Sequence, residues 1–270
     1  MGMFFANLFL QLLFTVGLIS GVGMLVWLLN RAFYKLIGTK NRAVCVATGF
    51  IGTPIHEIGH AFFCIVFLHK IREIKLYRVN PSDGVLGYVN HAYKKKNLYQ
   101  QIGNFFIGVG PILFGSLILA LLMRICVPAL FNNITRRVEV LSATDSFSSV
   151  VEFTFATFWR VIVNFFTTAK VTSFPWWLFM LLASSIAIHM TLSTLDVKGS
   201  YVGLGLLVAT LTVLDIILYL LGPATLWGFT QLCLSFAFLT LSFFVISITV
   251  CLILVLLAGL VKCVAFCIKH

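Results

Sequence analysis

Apolar residues run along this chain in blocks of about twenty or more, separated by polar connections, and that spacing predicts a bundle of membrane-crossing helices. A helix rises 1.5 Å per residue, so about twenty apolar residues cross a hydrocarbon core of about 30 Å. The blocks fall at about 3–30, 43–68, 102–126, 175–195, 201–221 and 229–261, the last long enough to tilt or to project beyond the bilayer. The expected fold class is an all-α membrane protein of about six transmembrane helices. Between the second and third blocks the period changes. Ile74–Val79 and Val85–Val89 place alternating β-formers around Asn80-Pro81-Ser82-Asp83-Gly84, which predicts a small β-hairpin. Residues 147–168 are aromatic but interrupted by Glu152 and Arg160, and read as a helix lying in the interface.

No stretch reads as a separate soluble domain. We take 1–270 as a single transmembrane domain, with 43–200 as its core around spans two to four and 201–270 as additional spans. The first block lacks a basic leader and is too long for a signal-peptide core, so it reads as a retained helix. Composition agrees: 60% of residues are hydrophobic and 10% charged, where soluble domains carry about a quarter charged. The net charge of +11 would suggest nucleic acid in a soluble protein. Here the basic residues lie between spans, so their partner is the lipid bilayer and its anionic headgroups, not nucleic acid. Seven cysteines exclude a complete disulfide framework, and Cys263 and Cys267, four apart on the last helix, read as packing residues. The expected location is a bacterial cell membrane, with the chain crossing it several times.

The second span holds the chemistry. His56-Glu57-Ile58-Gly59-His60 is an HExxH motif, and a chain of this composition yields about 0.002 such matches by chance. On a helix the two imidazoles stand one turn apart on one face and can ligate one Zn2+, with Glu57 beside them to take a proton from water. Ionisable residues in a membrane helix are expensive to bury, and a hydrogen-bonding role would be served more cheaply by Ser, Thr or Asn. No second metal cluster and no internal repeat is visible along the chain.

A catalytic zinc takes three protein ligands, and the third must lie at matching depth. His56 and His60 are about 20–25 Å from one end of their span, counting 1.5 Å per residue. His189 sits at the same depth in the fourth span. Asp196 reaches the metal if the chain unwinds after His189, which the hydroxyls and glycine of Thr191–Gly199 allow. Asp215 lies within about 10 Å of that same end, too far from the histidines, and reads as a helix–helix hydrogen bond or an interfacial acid.

These residues resemble the site-2 protease family of intramembrane zinc metalloproteases over about 43–200. In that family an HExxH span is followed by a β-hairpin, a span with a Gly-Pro element and a later span with an Asp-Gly motif. Val109-Gly110-Pro111 is similar to the Gly-Pro element and Leu195-Asp196 to the last motif. The chain departs from the pattern at Phe114, where the family has Asn, and at Val197, where it has Gly; Asn104 and Gly199 stand nearby instead. The resemblance implies His56, His60 and Asp196 as zinc ligands, Glu57 as the catalytic base, and a transmembrane protein as substrate. His189 and Asn104 are expected to stabilise an oxyanion or hold substrate, with His189 an alternative ligand. The competing reading is a metal-binding membrane protein without proteolytic activity, an inactive relative or a transporter. Against it, Glu57 is present and ligands are not scattered along a path.

Overall fold

The structure is a computed structural model that describes residues 2–38, 41–79, 81–138 and 172–269, with isolated positions between 152 and 167. The interfacial helix expected over 147–168 therefore falls largely outside the described residues, as does Asn80 of the expected turn.

The helices are α1 (Gly2–Leu12), α2 (Leu18–Ile37), α3 (Asn41–Val66), α4 (Leu98–Cys126), α5 (Pro128–Val138), α6 (Phe174–His189), α7 (Thr194–Leu221) and α8 (Pro223–Lys269). A single π-helical turn, Leu13–Gly17, joins α1 to α2 without a break. Among the described residues, four helical segments are long and apolar enough to cross a membrane: Gly2–Ile37, Leu98–Cys126, Thr194–Leu221 and Pro223–Ile268. Six were expected. α3 does not qualify because its 26 residues include His56, Glu57 and His60 among small polar residues. α6 is apolar but only 16 residues long, because it stops at His189 and not near Leu195. α7 correspondingly starts seven residues earlier than the periodicity suggested, at Thr194.

The two helix boundaries around the site have local causes. Ser193 caps α7: its hydroxyl accepts from the Asp196 amide at 3.1 Å, and the Asp196 carboxylate accepts from the Ser193 amide at 2.7 Å. That reciprocal pair starts a helix where hydropathy alone sees continuous membrane span. At the other end Gly222, at φ 140°, ends α7 and Pro223 opens α8, the usual order of Gly after one helix and Pro at the start of the next.

A two-stranded antiparallel sheet, β1 (Lys70–Lys75) and β2 (Tyr88–Ala92), connects α3 to α4. The hairpin was expected, but its strands lie further from the turn. Ile74 pairs with Val89 and Lys75 with Tyr88, and a bulge falls between Ile71 and Glu73. Beyond Lys75 the ladder gives way to a wide loop, closed by one Arg78–Leu86 backbone bond of 2.6 Å and by the Arg78–Asp83 ion pair of 2.8 Å.

α4 is the central helix. It packs on α3, α6, α7 and α8, and its buried residues, from Gly103 through Phe105, Val109 and Ile112 to Leu119 and Met123, surround the helix. The core they build extends to Ala183 and Ile186 of α6 and to Phe238 and Phe244 of α8. α3 is enclosed by α4 and α6, so its polar face need not meet lipid.

Candidate metal centre

α3 carries His56 and His60 one turn apart, and each ring donates from Nδ1 to a backbone carbonyl. His56 donates to His189 at 2.7 Å, and His60 donates to Ile107 at 2.7 Å. A carbonyl only accepts, so in each neutral ring the proton stands on Nδ1 and Nε2 holds a lone pair. Those two Nε2 atoms face each other at 3.2 Å. Asp196 completes the group, its Oδ1 3.4 Å from His60 Nε2, and the three ligand atoms all lie within 4.8 Å of one another.

The carbonyls that hold the rings are free for physical reasons. Ile107 would ordinarily bond the N–H four residues on, which is Pro111, and proline has none. The freed oxygen points at α3 and takes His60. His189 is the last residue of α6, so its carbonyl is one of the four that a helix leaves unpaired at its C-terminus. The neighbouring Ala187 and Ile188 carbonyls accept from the buried Asn30 amide of α2, at 3.0 and 3.2 Å, and this pins the end of α6 beside His56.

Close helix contact does the rest. A Cβ built on Gly59 would stand 2.9 Å from the Gly110 carbonyl, and one on Gly110 would stand 2.8 Å from that of Gly59, so α3 and α4 touch backbone to backbone. On the opposite side of α4, a Cβ on Gly108 would collide with the Ser200 hydroxyl and lie 2.7 Å from the Asp196 carbonyl. The Gly-Pro element thus sets both the α3–α4 distance and the acceptor for His60, while Gly108 lets the start of α7 approach. Asp196 is itself held at both ends: Oδ2 is committed to the Ser193 amide, and Oδ1 is left for the cluster.

This donor set fits zinc. A tetrahedral ion with Zn–N bonds of about 2.0–2.1 Å holds its ligand atoms about 3.3 Å apart, close to the 3.2 and 3.4 Å that separate His60 from His56 and from Asp196, the third pair lying within 4.8 Å. Two imidazoles oriented by carbonyls and a carboxylate oriented by an amide are ligands with their supporting hydrogen bonds already made. Glu57 is buried beside them, and with His56, His60, Asp196 and Asn104 it lines a cavity of about 410 Å³. Asn104 is buried, and its side-chain amide nitrogen has no hydrogen-bond partner among the described residues.

His189 contributes differently from the expectation. Its backbone carbonyl orients His56, but its ring turns away, toward Thr48 at 3.1 Å and Thr53 at 3.5 Å, and does not join the ligand group. Asp215 lies elsewhere, accepting from Gln11 at 3.1 Å between α1, α7 and α8. Sequence reasoning missed Asn30, whose role depends on which helix end it meets, and the Ile107 carbonyl, although Pro111 four residues on was the readable signal. It also missed the capping box, for which Ser193-Thr194-Leu195-Asp196 is the sequence pattern.

Comparison of the chain with protein-family models, with curated proteins and with solved structures finds no match.

Proposed function

We propose that this chain is an intramembrane zinc metalloprotease that hydrolyses peptide bonds of membrane-embedded protein substrates, working in a bacterial cell membrane. The observation that carries the reading is the pair of bare Nε2 atoms, each ring locked by a carbonyl, converging with Asp196 Oδ1 next to a buried carboxylate. A structural polar cluster would be expected to pair donors with acceptors; this one gathers acceptors around a point. In this reading α3 and α6 also cross the bilayer, making six spans, and α6, about 24 Å long, thins the bilayer locally.

His56, His60 and Asp196 would hold the ion at the wall of the cavity that Glu57 and Asn104 also line. Zinc in that place supplies Lewis acidity and makes water acidic enough to lose a proton near neutral pH. Glu57 takes that proton as the water oxygen attacks the peptide carbonyl carbon, then delivers it to the leaving amine when the C–N bond breaks. The Asn104 side-chain amide, buried and with its donor unspent, is the group available to a developing carbonyl oxyanion. A transmembrane helix hides its peptide bonds, so the substrate must unwind. Val85, Gly87, Tyr88 and Val89 border the cavity, and the β2 edge offers main-chain partners to an extended segment.

Glu57→Gln tests the mechanism. The variant is expected to keep its zinc while cleavage falls at least 10²–10⁴-fold, the usual contribution of a general base. His60→Ala should lose cleavage together with the ion of the His56–His60–Asp196 group. The measurement compares membrane-protein fragments ending inside spans, by mass spectrometry, between cells expressing the wild type and cells expressing E57Q. Identical fragment sets would remove the proteolytic reading, and zinc retained in such a protein would favour metal binding without proteolysis.

A further inference from the structure

A second group of ligating side chains stands beyond the first along α3. Cys64 follows His60 by four residues, so it lies on the same helix face, one turn nearer the C-terminus. There the chain doubles back. The Leu68 amide donates to the Ile65 carbonyl at 3.1 Å, the His69 amide to the Cys64 carbonyl at 2.8 Å, and Leu68 takes φ 58°. This is the helix-ending pattern that normally puts glycine at the left-handed position. A leucine rarely adopts that conformation, so the surroundings hold the turn. The result folds His69 back over Cys64. From the other strand, His91 arrives opposite Ile71.

The Cys64 thiol and one ring nitrogen from each of His69 and His91 lie within 4.8 Å of one another. Cys64 and His69 are buried, and His91 is half-buried. His69 donates from Nε2 to the Gln100 carbonyl at 2.7 Å, so in the neutral ring Nδ1 holds the lone pair, and it faces His91 Nδ1 at 3.0 Å. The Tyr93 ring stacks on His69 at 5.0 Å. The Gln100 side chain clamps both arms of the loop, donating to the Leu68 carbonyl at 2.8 Å and accepting from the Lys94 amide at 2.7 Å. Outer hydrogen bonds and a stacked ring thus fix His69 with its free nitrogen turned toward two further donors, as in built metal sites.

We propose that Cys64, His69 and His91 form a second metal site, separate from the His56–His60–Asp196 group, that takes a zinc-class cation. A thiolate with two imidazoles selects a borderline-soft ion over magnesium or calcium. His91 also borders the cavity, so an ion here staples the β2 edge to the end of α3.

The test is metal stoichiometry on the full chain purified in detergent, stripped and then supplied with Zn2+. Wild type is expected to bind two ions, Cys64→Ser one, His60→Ala one, and the double variant none. Replacing zinc by Co2+ in His60→Ala should give the thiolate-to-cobalt charge-transfer band in the near ultraviolet, a readout that does not require a Cys64 variant to fold. One ion in wild type that disappears with His60→Ala, or two ions with no thiolate band, would overturn the proposal.

Discussion

Pro111 has no N–H for Ile107, and because of that missing bond His60 finds an acceptor inside the helix bundle. Replacing Pro111 with Ala restores a competing donor four residues on. The expected result is zinc binding 10–100-fold weaker, the usual effect of losing a group that orients a ligand, read by chelator competition. His69 and His91, outside the spans, carry a pH signature in the metal-free protein. Burial holds His69 below the ordinary imidazole range. Burial first, then the neighbouring His69 and His60, pushes His91 down to about 4. An unfolded imidazole titrates near 6.5, so the unfolded chain takes up protons first as the solution is acidified. This stabilisation is therefore complete above about pH 6.5 and is lost as the pH falls toward 4. Melting temperatures of the metal-free protein between pH 7 and 4 should drop, and less steeply for His91→Gln.

At the scale of elements, the site depends on α4 touching α3 on one side and α7 on the other. Gly108→Leu inserts a side chain against the Ser200 hydroxyl and the Asp196 backbone, and so pushes the start of α7 away. The variant should bind zinc more weakly at the His56–His60–Asp196 group while the Cys64–His69–His91 group, built on the α3 end and the hairpin, is unaffected; cobalt spectra distinguish the two. The elements themselves were legible to different degrees. α4 and α8 followed directly from hydropathy. α6 and α7 did not, because the capping box that separates them uses Ser193 and Asp196 within a stretch still apolar on average. The hairpin was readable as alternation around a turn, but its register was not, since the bulge at Ile71/Glu73 and the Arg78–Asp83 pair displace the ladder from the turn. The apparent lack of a second cluster was an error of the same kind. Cys64, His69 and His91 are spread over a helix, a turn and a strand, and only the fold collects them.

Across the whole molecule, α1, α7 and α8 are tied by a buried polar contact remote from the site. Gln11 donates to Asp215 at 3.1 Å and to Thr230 at 2.9 Å. Gln11→Leu leaves Asp215 without that donor and should destabilise the bundle by about 1–3 kcal/mol, with zinc stoichiometry unchanged; thermal unfolding in detergent measures it. The membrane class and the His56–Glu57–His60 triplet were determined by sequence alone, because hydropathy and the helical period are local properties that survive without knowledge of neighbours. Tertiary structure alone decided between Asp196 and the His189 ring as the partner of those imidazoles, which carbonyls set their protons, and which residues beyond the motif gather into a second group. Each of these rests on contacts between helices and strands far apart in the chain, where a missing N–H or an absent Cβ on one element fixes what another can reach.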